Sequence, residues 1–194
     1  MNRYASLNRQ TNETQVSIEL CLDGGEIEVS TGVGFFDHML IAFAVHGGFG
    51  LKVKTVGDWH VDCHHTVEDT GIVLGSVFAE ILRDKTSINR FGNSFIPMDE
   101  ALGFAAVDIS GRSFLVFKAE FPQEKVGDFD SCMTEEFFRA FAFNAGITLH
   151  VECKYGNNSH HMIEALFKAS AYAIKQAVTE RDDDIILSSK GSFN

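Results

Sequence analysis

The box His64-His65-Thr66-Val67-Glu68 has an echo in His160-His161-Met162-Ile163-Glu164, within a chain of only 194 residues. In each box the first His stands four residues before the Glu, and the second His stands three before it. At the start of a helix this spacing lets all three side chains converge on one side. Imidazole and carboxylate are ligands that a borderline or hard divalent ion accepts from helical neighbours. The two boxes therefore read as two halves of a metal centre. The plainer alternative is two solvated polar helix starts.

The rest of the chain repeats with the boxes. Residues 14–22, TQVSIELCL, alternate polar and apolar positions and run into Asp23-Gly24-Gly25, a hairpin signal, with 26–30 as the returning strand. An apolar helix over 35–46 is stopped by Gly47-Gly48, a strand follows over 51–56, and a helix follows the first box over 70–84. From about residue 95 the programme returns. Glu100-Ala101-Leu102 lines up with Glu13-Thr14-Gln15; 113–117 is a strand, 135–143 a helix, 148–153 a strand, and the second box opens a helix over about 161–179. Only 124–131 and 182–194 lack a counterpart. The expected fold class is α+β: one domain, 1–194, of two strand–strand–helix–strand–helix half-domains, about 1–94 and 95–194. A half of this size buries too little apolar surface alone. With 18 Phe in the chain, the helices are expected to pack half against half, between two sheets.

Bulk properties narrow the function. The net charge of −11 and the lack of a basic run argue against a nucleic-acid partner. Cys21, Cys63, Cys132 and Cys153 have no CxxC spacing and read as reduced thiols. Neither a membrane-length apolar stretch nor a signal-peptide start is present, so a soluble, cytoplasmic protein is expected.

The duplication also serves as an internal test of the ligand set. Laying Leu51-Lys52-Val53 on Leu149-His150-Val151 places His38 opposite Glu136. One half then offers His38, His64, His65 and Glu68, and the other offers Glu136, His160, His161 and Glu164. Eight ligands exceed one tetrahedral site and suit two octahedral ions with open positions. Adjacent His residues point in different directions, so one His of each pair can serve each ion. His150 lies in an alternating strand and reads as structural, while His46 either lines the pocket or ends its helix.

The segments GVGFFDHML, DCHHTVEDTGIVLG, RFG followed by PMDEAL, DISGR and NSHHMIEALFKA resemble the imidazoleglycerol-phosphate dehydratases of histidine biosynthesis. The resemblance runs in order from about Arg9 to Ser192 and looks like the monofunctional form of the family. It implies a duplicated fold of the ribosomal protein S5 domain 2-like class, two manganese ions per active site, and self-assembly into a homo-24-mer with sites at subunit interfaces. It also implies a hydro-lyase that converts D-erythro-imidazole glycerol 3-phosphate to imidazole acetol phosphate through a metal-stabilised imidazolate and a diazafulvene. In that chemistry the metals act as Lewis acids and carboxylates transfer protons. Glu13 and Glu164 are the carboxylates implied for catalysis. Glu13, His46, Arg90, Arg112, Lys168, Lys190 and Ser192 are implied for the substrate, the cations gripping its phosphate. Glu136 departs from the family pattern, since many members have His there. A non-catalytic metal store or scaffold, or a metallohydrolase acting on a phosphate ester, are the competing classes. The paired phosphate-site cations favour the dehydratase over the store, and the absence of Asp-rich clusters disfavours the hydrolase.

Overall fold

The alternating segment near residue 14 forms strand β2 (Thr14–Cys21), whose Thr14, Val16, Ile18 and Leu20 are buried while Gln15 and Glu19 face solvent. That alternation is the signature of a sheet with one face on the core. The computed structural model describes residues 3–83 and 87–182. The first half continues through β1 (Tyr4–Gln10), β2, β3 (Ile27–Ser30), α1 (Gly34–Gly47), β4 (Gly50–Gly57) and α2 (His64–Ile81). The second runs β5 (Phe91–Met98), β6 (Ala101–Asp108), β7 (Phe114–Lys118), β8 (Lys125–Val126), β9 (Phe129–Asp130), α3 (Met133–Ala145), β10 (Thr148–Tyr155) and α4 (Ser159–Val178). Both HHxxE boxes fall at helix starts, as their spacing required.

The two four-stranded sheets have the same order, β1-β2-β4-β3 and β5-β6-β10-β7. The fold is α+β and duplicated. It differs from the sequence expectation in connectivity. Asp23-Gly24-Gly25 does not close a hairpin: β4 lies between β2 and β3, antiparallel to the first and parallel to the second. A parallel pair needs a crossover, and α1 supplies it. The turn instead carries the chain across the end of β4, where a side chain on Gly50 would meet Gly24 O at 2.8 Å. β10 separates β6 from β7 in the same way.

Strands β1 and β5 were not foreseen. Each is an edge strand whose alternation is diluted by exposed apolar residues such as Leu7, Phe91 and Phe95. β5 pairs with β6 and begins at Phe91, so the second sheet starts ahead of the expected division near residue 94. The unmatched stretch 124–131 forms the small β8–β9 hairpin.

The helices lie between the sheets and pair crosswise, α1 on α4 and α2 on α3. Phe36, Phe78, Phe137, Phe138, Phe141 and Phe167 are among the largest fully buried side chains. Phe137 stacks on Phe167 and Phe141 meets Phe43 and Phe78, so the aromatic layer joins both halves. Gly71 and Gly75, one turn apart on α2, let it approach α3 closely: a Cβ on Gly75 would stand 2.5 Å from Phe141 O. An ion pair on a buried carboxylate fastens α2 to its sheet, with Arg9 Nη1 2.6 Å from Asp69 Oδ2 and the Thr14 hydroxyl donating to the same carboxylate.

Ala for Gly in an exposed helix gains about 1 kcal/mol in propensity, whereas forcing a methyl into a packed interface costs about 1–3 kcal/mol. At Gly75 the obstructing atom is backbone, which cannot rotate away, so the upper end of that cost applies and Gly75→Ala is expected to be net destabilising by about 2 kcal/mol. Denaturant unfolding of the variant checks this; an unchanged or raised midpoint would contradict the close helix contact.

Candidate metal centre

His160 and Glu164 occupy successive turns at the N-terminal end of α4, where the Asn158 side chain caps the helix by accepting from His160 N at 3.0 Å. His38, on the first turns of α1, comes from the other half and meets them across the α1–α4 contact. Glu164 Oε2 lies 3.5 Å from His38 Nε2 and 3.3 Å from His160 Nε2. Among the described residues, these three form a group whose donor atoms all lie within 4.8 Å of one another. Cis ligands about 2.2 Å from one ion stand roughly 3 Å apart, so two imidazoles and one carboxylate at these spacings suit a divalent cation.

The other oxygen of Glu164 is also committed: Oε1 lies 2.6 Å from Lys168 Nζ, one turn further along α4. Burial pushes the Glu164 carboxyl up, but the Lys168 bond and charge, with His38, outweigh it and leave it below the usual carboxylate value. An ionised, buried carboxylate is thereby ready to bind a cation. Phe35 backs both imidazoles, with ring centroids 4.9 Å from His160 and 6.5 Å from His38. Phe35 itself rests on Phe129 of the β8–β9 hairpin at 5.5 Å. The unmatched insertion thus supports the cluster through one aromatic ring.

The equivalent set in the other helix pair is arranged differently. His64 Nε2 and Glu68 Oε2 are 3.5 Å apart on α2. Glu136 of α3 instead accepts from Arg139 at 2.6 Å, as does Glu135. Arg139 corresponds to Ile41 on α1, so His38 has no such competitor on its own helix.

The second His of each box faces elsewhere, as expected of adjacent residues. His65 Nδ1 lies 3.0 and 3.1 Å from the two oxygens of Asp58, and its Nε2 lies 3.8 Å from Glu13. His161 Nδ1 lies 2.7 Å from Glu100 Oε2, and its Nε2 lies 3.8 Å from Asp99. Hydrogen bonding to Asp58 raises the His65 pKa, and hydrogen bonding to Glu100 raises that of His161. Reciprocally, the His161 bond and the Asn157 backbone N–H hold Glu100 down to about 2. Sequence reasoning missed Asp58, Asp99 and Glu100 as neighbours of the boxes. The alignment of Glu100 with Glu13 was the available signal.

Among the described residues, the cations implied for phosphate do not converge within one chain. Arg90 bonds Asp108 at 2.7 Å and Arg112 lies 3.7 Å from the same residue, both at one end of the second sheet. Lys168 Nζ lies 3.6 Å from Met98 Sδ, at the far end of β5. That strand length separates the two places by on the order of 25 Å. His46 ends α1 with Nδ1 3.4 Å from the Tyr172 hydroxyl, and burial together with the Lys168 charge lowers its pKa. His150 is exposed on β10, pointing away from the helices. Lys190 and Ser192 lie outside the described residues.

Known proteins of one family resemble this chain over nearly its whole length. A family model described as imidazoleglycerol-phosphate dehydratase matches residues 31–174. The chain is 56% identical over 193 residues to the imidazoleglycerol-phosphate dehydratase of Bacillus cytotoxicus, covering 98% of this chain and 99% of that one. It is 55% identical to that of Clostridium acetobutylicum, covering 98% of each. The crystal structure of the Staphylococcus aureus enzyme superposes with a TM-score of 0.84 at 42% identity, covering 91% of this chain and 99% of that chain. The Pyrococcus furiosus enzyme, solved in complex with (S)-C348, superposes with a TM-score of 0.84 at 33% identity, covering 96% and 99%.

The Glu100–His161 pair gives a pH dependence with a definite sign. Glu100 is lowered from 4.5, so its contribution to stability is present above 4.5 and fades as pH falls toward about 2. His161 is raised from 6.5, so its contribution is full below 6.5 and is lost as pH rises through the raised value. In chelator-stripped protein the Tm gap between wild type and Glu100→Gln should be widest between pH 4.5 and 6.5. A gap that grows outside that window would contradict the pairing.

Proposed function

The chain belongs to the imidazoleglycerol-phosphate dehydratase family, the hydro-lyases of histidine biosynthesis, and from that premise we propose how its own residues carry the reaction. The substrate is D-erythro-imidazole glycerol 3-phosphate and the product imidazole acetol phosphate. Manganese is the proposed ion. His38, His160 and Glu164 would hold one, and His64, Glu68 and Glu136 the other, with Glu136 released from Arg139; His65 and His161 complete the donor set. The observation that carries this reading is the meeting of His38 with His160 and Glu164 across the two halves. A bound divalent ion there supplies Lewis acidity that stabilises negative charge on the substrate's imidazole ring.

The proton transfer falls to Glu13. Both oxygens of Glu164 are occupied, by Lys168 and by the ligand histidines. Glu13 is more than half exposed and its carboxylate stands beside His65 Nε2. Loss of water removes hydroxide from the carbon attached to the ring and a proton from the next carbon. Glu13 accepts that proton; the enol left behind becomes the ketone by protonation of the ring-attached carbon. The distance between the Arg90–Arg112 end of the sheet and Lys168 supports a site completed by more than one copy of the chain. Assembly into a homo-24-mer and cytoplasmic work are part of this proposal. So is a single domain of two repeats spanning the chain, and binding of the phosphate by Arg90, Arg112, Lys168, Lys190 and Ser192, with His46 beside the substrate.

The test is turnover by chelator-stripped protein with and without added Mn2+, alongside Glu13→Gln. Activity should vanish on stripping and return with manganese. The variant should retain its manganese and lose about 10²–10⁴-fold in kcat, the range for a positioned general base. Turnover by metal-free protein, or full activity of the variant, would contradict the assignment.

A further inference from the structure

The two outward histidines each have a carboxylate on Nδ1, and the two halves reach that contact by different routes. Asp58, which serves His65, lies in the connection from β4 to α2. The matching connection in the second half, Gly156-Asn157-Asn158, carries no carboxylate. There the partner is Glu100, from the turn between β5 and β6. Glu100 matches Glu13, which in the first half lies near Nε2 of His65 rather than Nδ1. The Asn157 and Asn158 N–H groups donate to Glu100 Oε1 at 3.2 and 3.0 Å, leaving Oε2 for His161. A contact inherited through duplication alone would use equivalent residues. Here non-equivalent residues each place a carboxylate on Nδ1, through two oxygens of Asp58 and one of Glu100, so the carboxylate on Nδ1 is the feature retained.

A carboxylate accepting from Nδ1–H fixes the tautomer and turns Nε2, with its lone pair, outward. It also makes that nitrogen a better donor, the arrangement usual behind a metal-bound imidazole. We propose that Asp58 and Glu100 are positioning residues for metal binding, which hold His65 and His161 as Nδ1–H tautomers with Nε2 as the donor. The proposal rests on the manganese-dependent reading above. It also accounts for the use of one turn carboxylate in catalysis. Glu100 is committed to orienting an imidazole, and its counterpart Glu13 is left to move a proton.

Two readouts test it on the full chain. The first is solid-state ¹⁵N NMR of histidine-labelled, chelator-stripped protein at alkaline pH, where the imidazoles are neutral. His65→Gln and His161→Gln assign the two rings. Both rings should show protonated Nδ1 in wild type, and each should lose that preference when its own carboxylate becomes Ala. The second is Mn2+ affinity by chelator competition. Asp58→Ala and Glu100→Ala should each weaken binding about 10–100-fold, while Asp58→Asn and Glu100→Gln, whose amide oxygens still accept from Nδ1–H, should recover most of it. Asp58 touches no backbone donor of the α4 loop, so it decides the matter even if Glu100→Ala unfolds. Protonated Nε2 in wild type, or Ala variants that hold Mn2+ as tightly as wild type, would overturn the positioning role. Wild type that takes up no Mn2+ would instead overturn the metal reading beneath it.

Discussion

Neither half of this chain can bury its helices alone, and crosswise helix pairing follows from that deficit. With Phe36, Phe137, Phe141 and Phe167 sealed between two sheets, α1 is pressed on α4 and α2 on α3. Burial of aromatic surface contributes roughly 2–3 kcal/mol per side chain, so the pairing is held by far more than the polar groups at its end. The consequence is chemical. His38 arrives from one repeat and His160 and Glu164 from the other, and the packing that stabilises the fold also brings these candidate ligands together. Lys168 then makes the buried Glu164 tolerable as an anion, since a buried charge needs a partner.

Function enters where the repeat is broken. His38 and Glu136 match in place but not in chemistry, and Arg139 gives Glu136 a local partner that His38 does not have on α1. Glu13 and Glu100 match in both, yet one is exposed beside Nε2 of a histidine and the other is clasped by Nδ1 and two backbone N–H groups. A repeated pair of HHxxE boxes thus comes with an asymmetric pair of carboxylates. In the proposed dehydration, which removes one proton from one carbon, Glu13 alone of the two would act.

The parts of the structure legible in the sequence were those set by local pattern. Helix α1 ended at Gly48, in the left-handed conformation that the Gly47-Gly48 pair invited. The HHxxE spacing placed both boxes on the first turns of α2 and α4. Alternation exposed β2, β4 and β10, because each has one face on the core, and the match of the repeats located β6. Edge strands β1 and β5 escaped, since exposed Leu7, Phe91 and Phe95 blur their alternation. The Asp23-Gly24-Gly25 turn misled for a different reason: a turn signal reports that the chain reverses, and cannot report that β4 will be inserted between its arms. Long-range partners were the least visible. The histidine partners of Asp58 and Glu100 leave no local pattern, because each histidine is brought near only by folding.

The central claim is that two repeats build two metal positions, one at each helix pair. Elemental analysis of assembled, manganese-loaded protein, with chain concentration measured independently, tests it most directly. The account predicts two manganese per chain in wild type and a loss of about one in His38→Gln. One manganese per chain in wild type would contradict it, because the box at His64 and Glu68 would then not be the working counterpart of the box at His160 and Glu164.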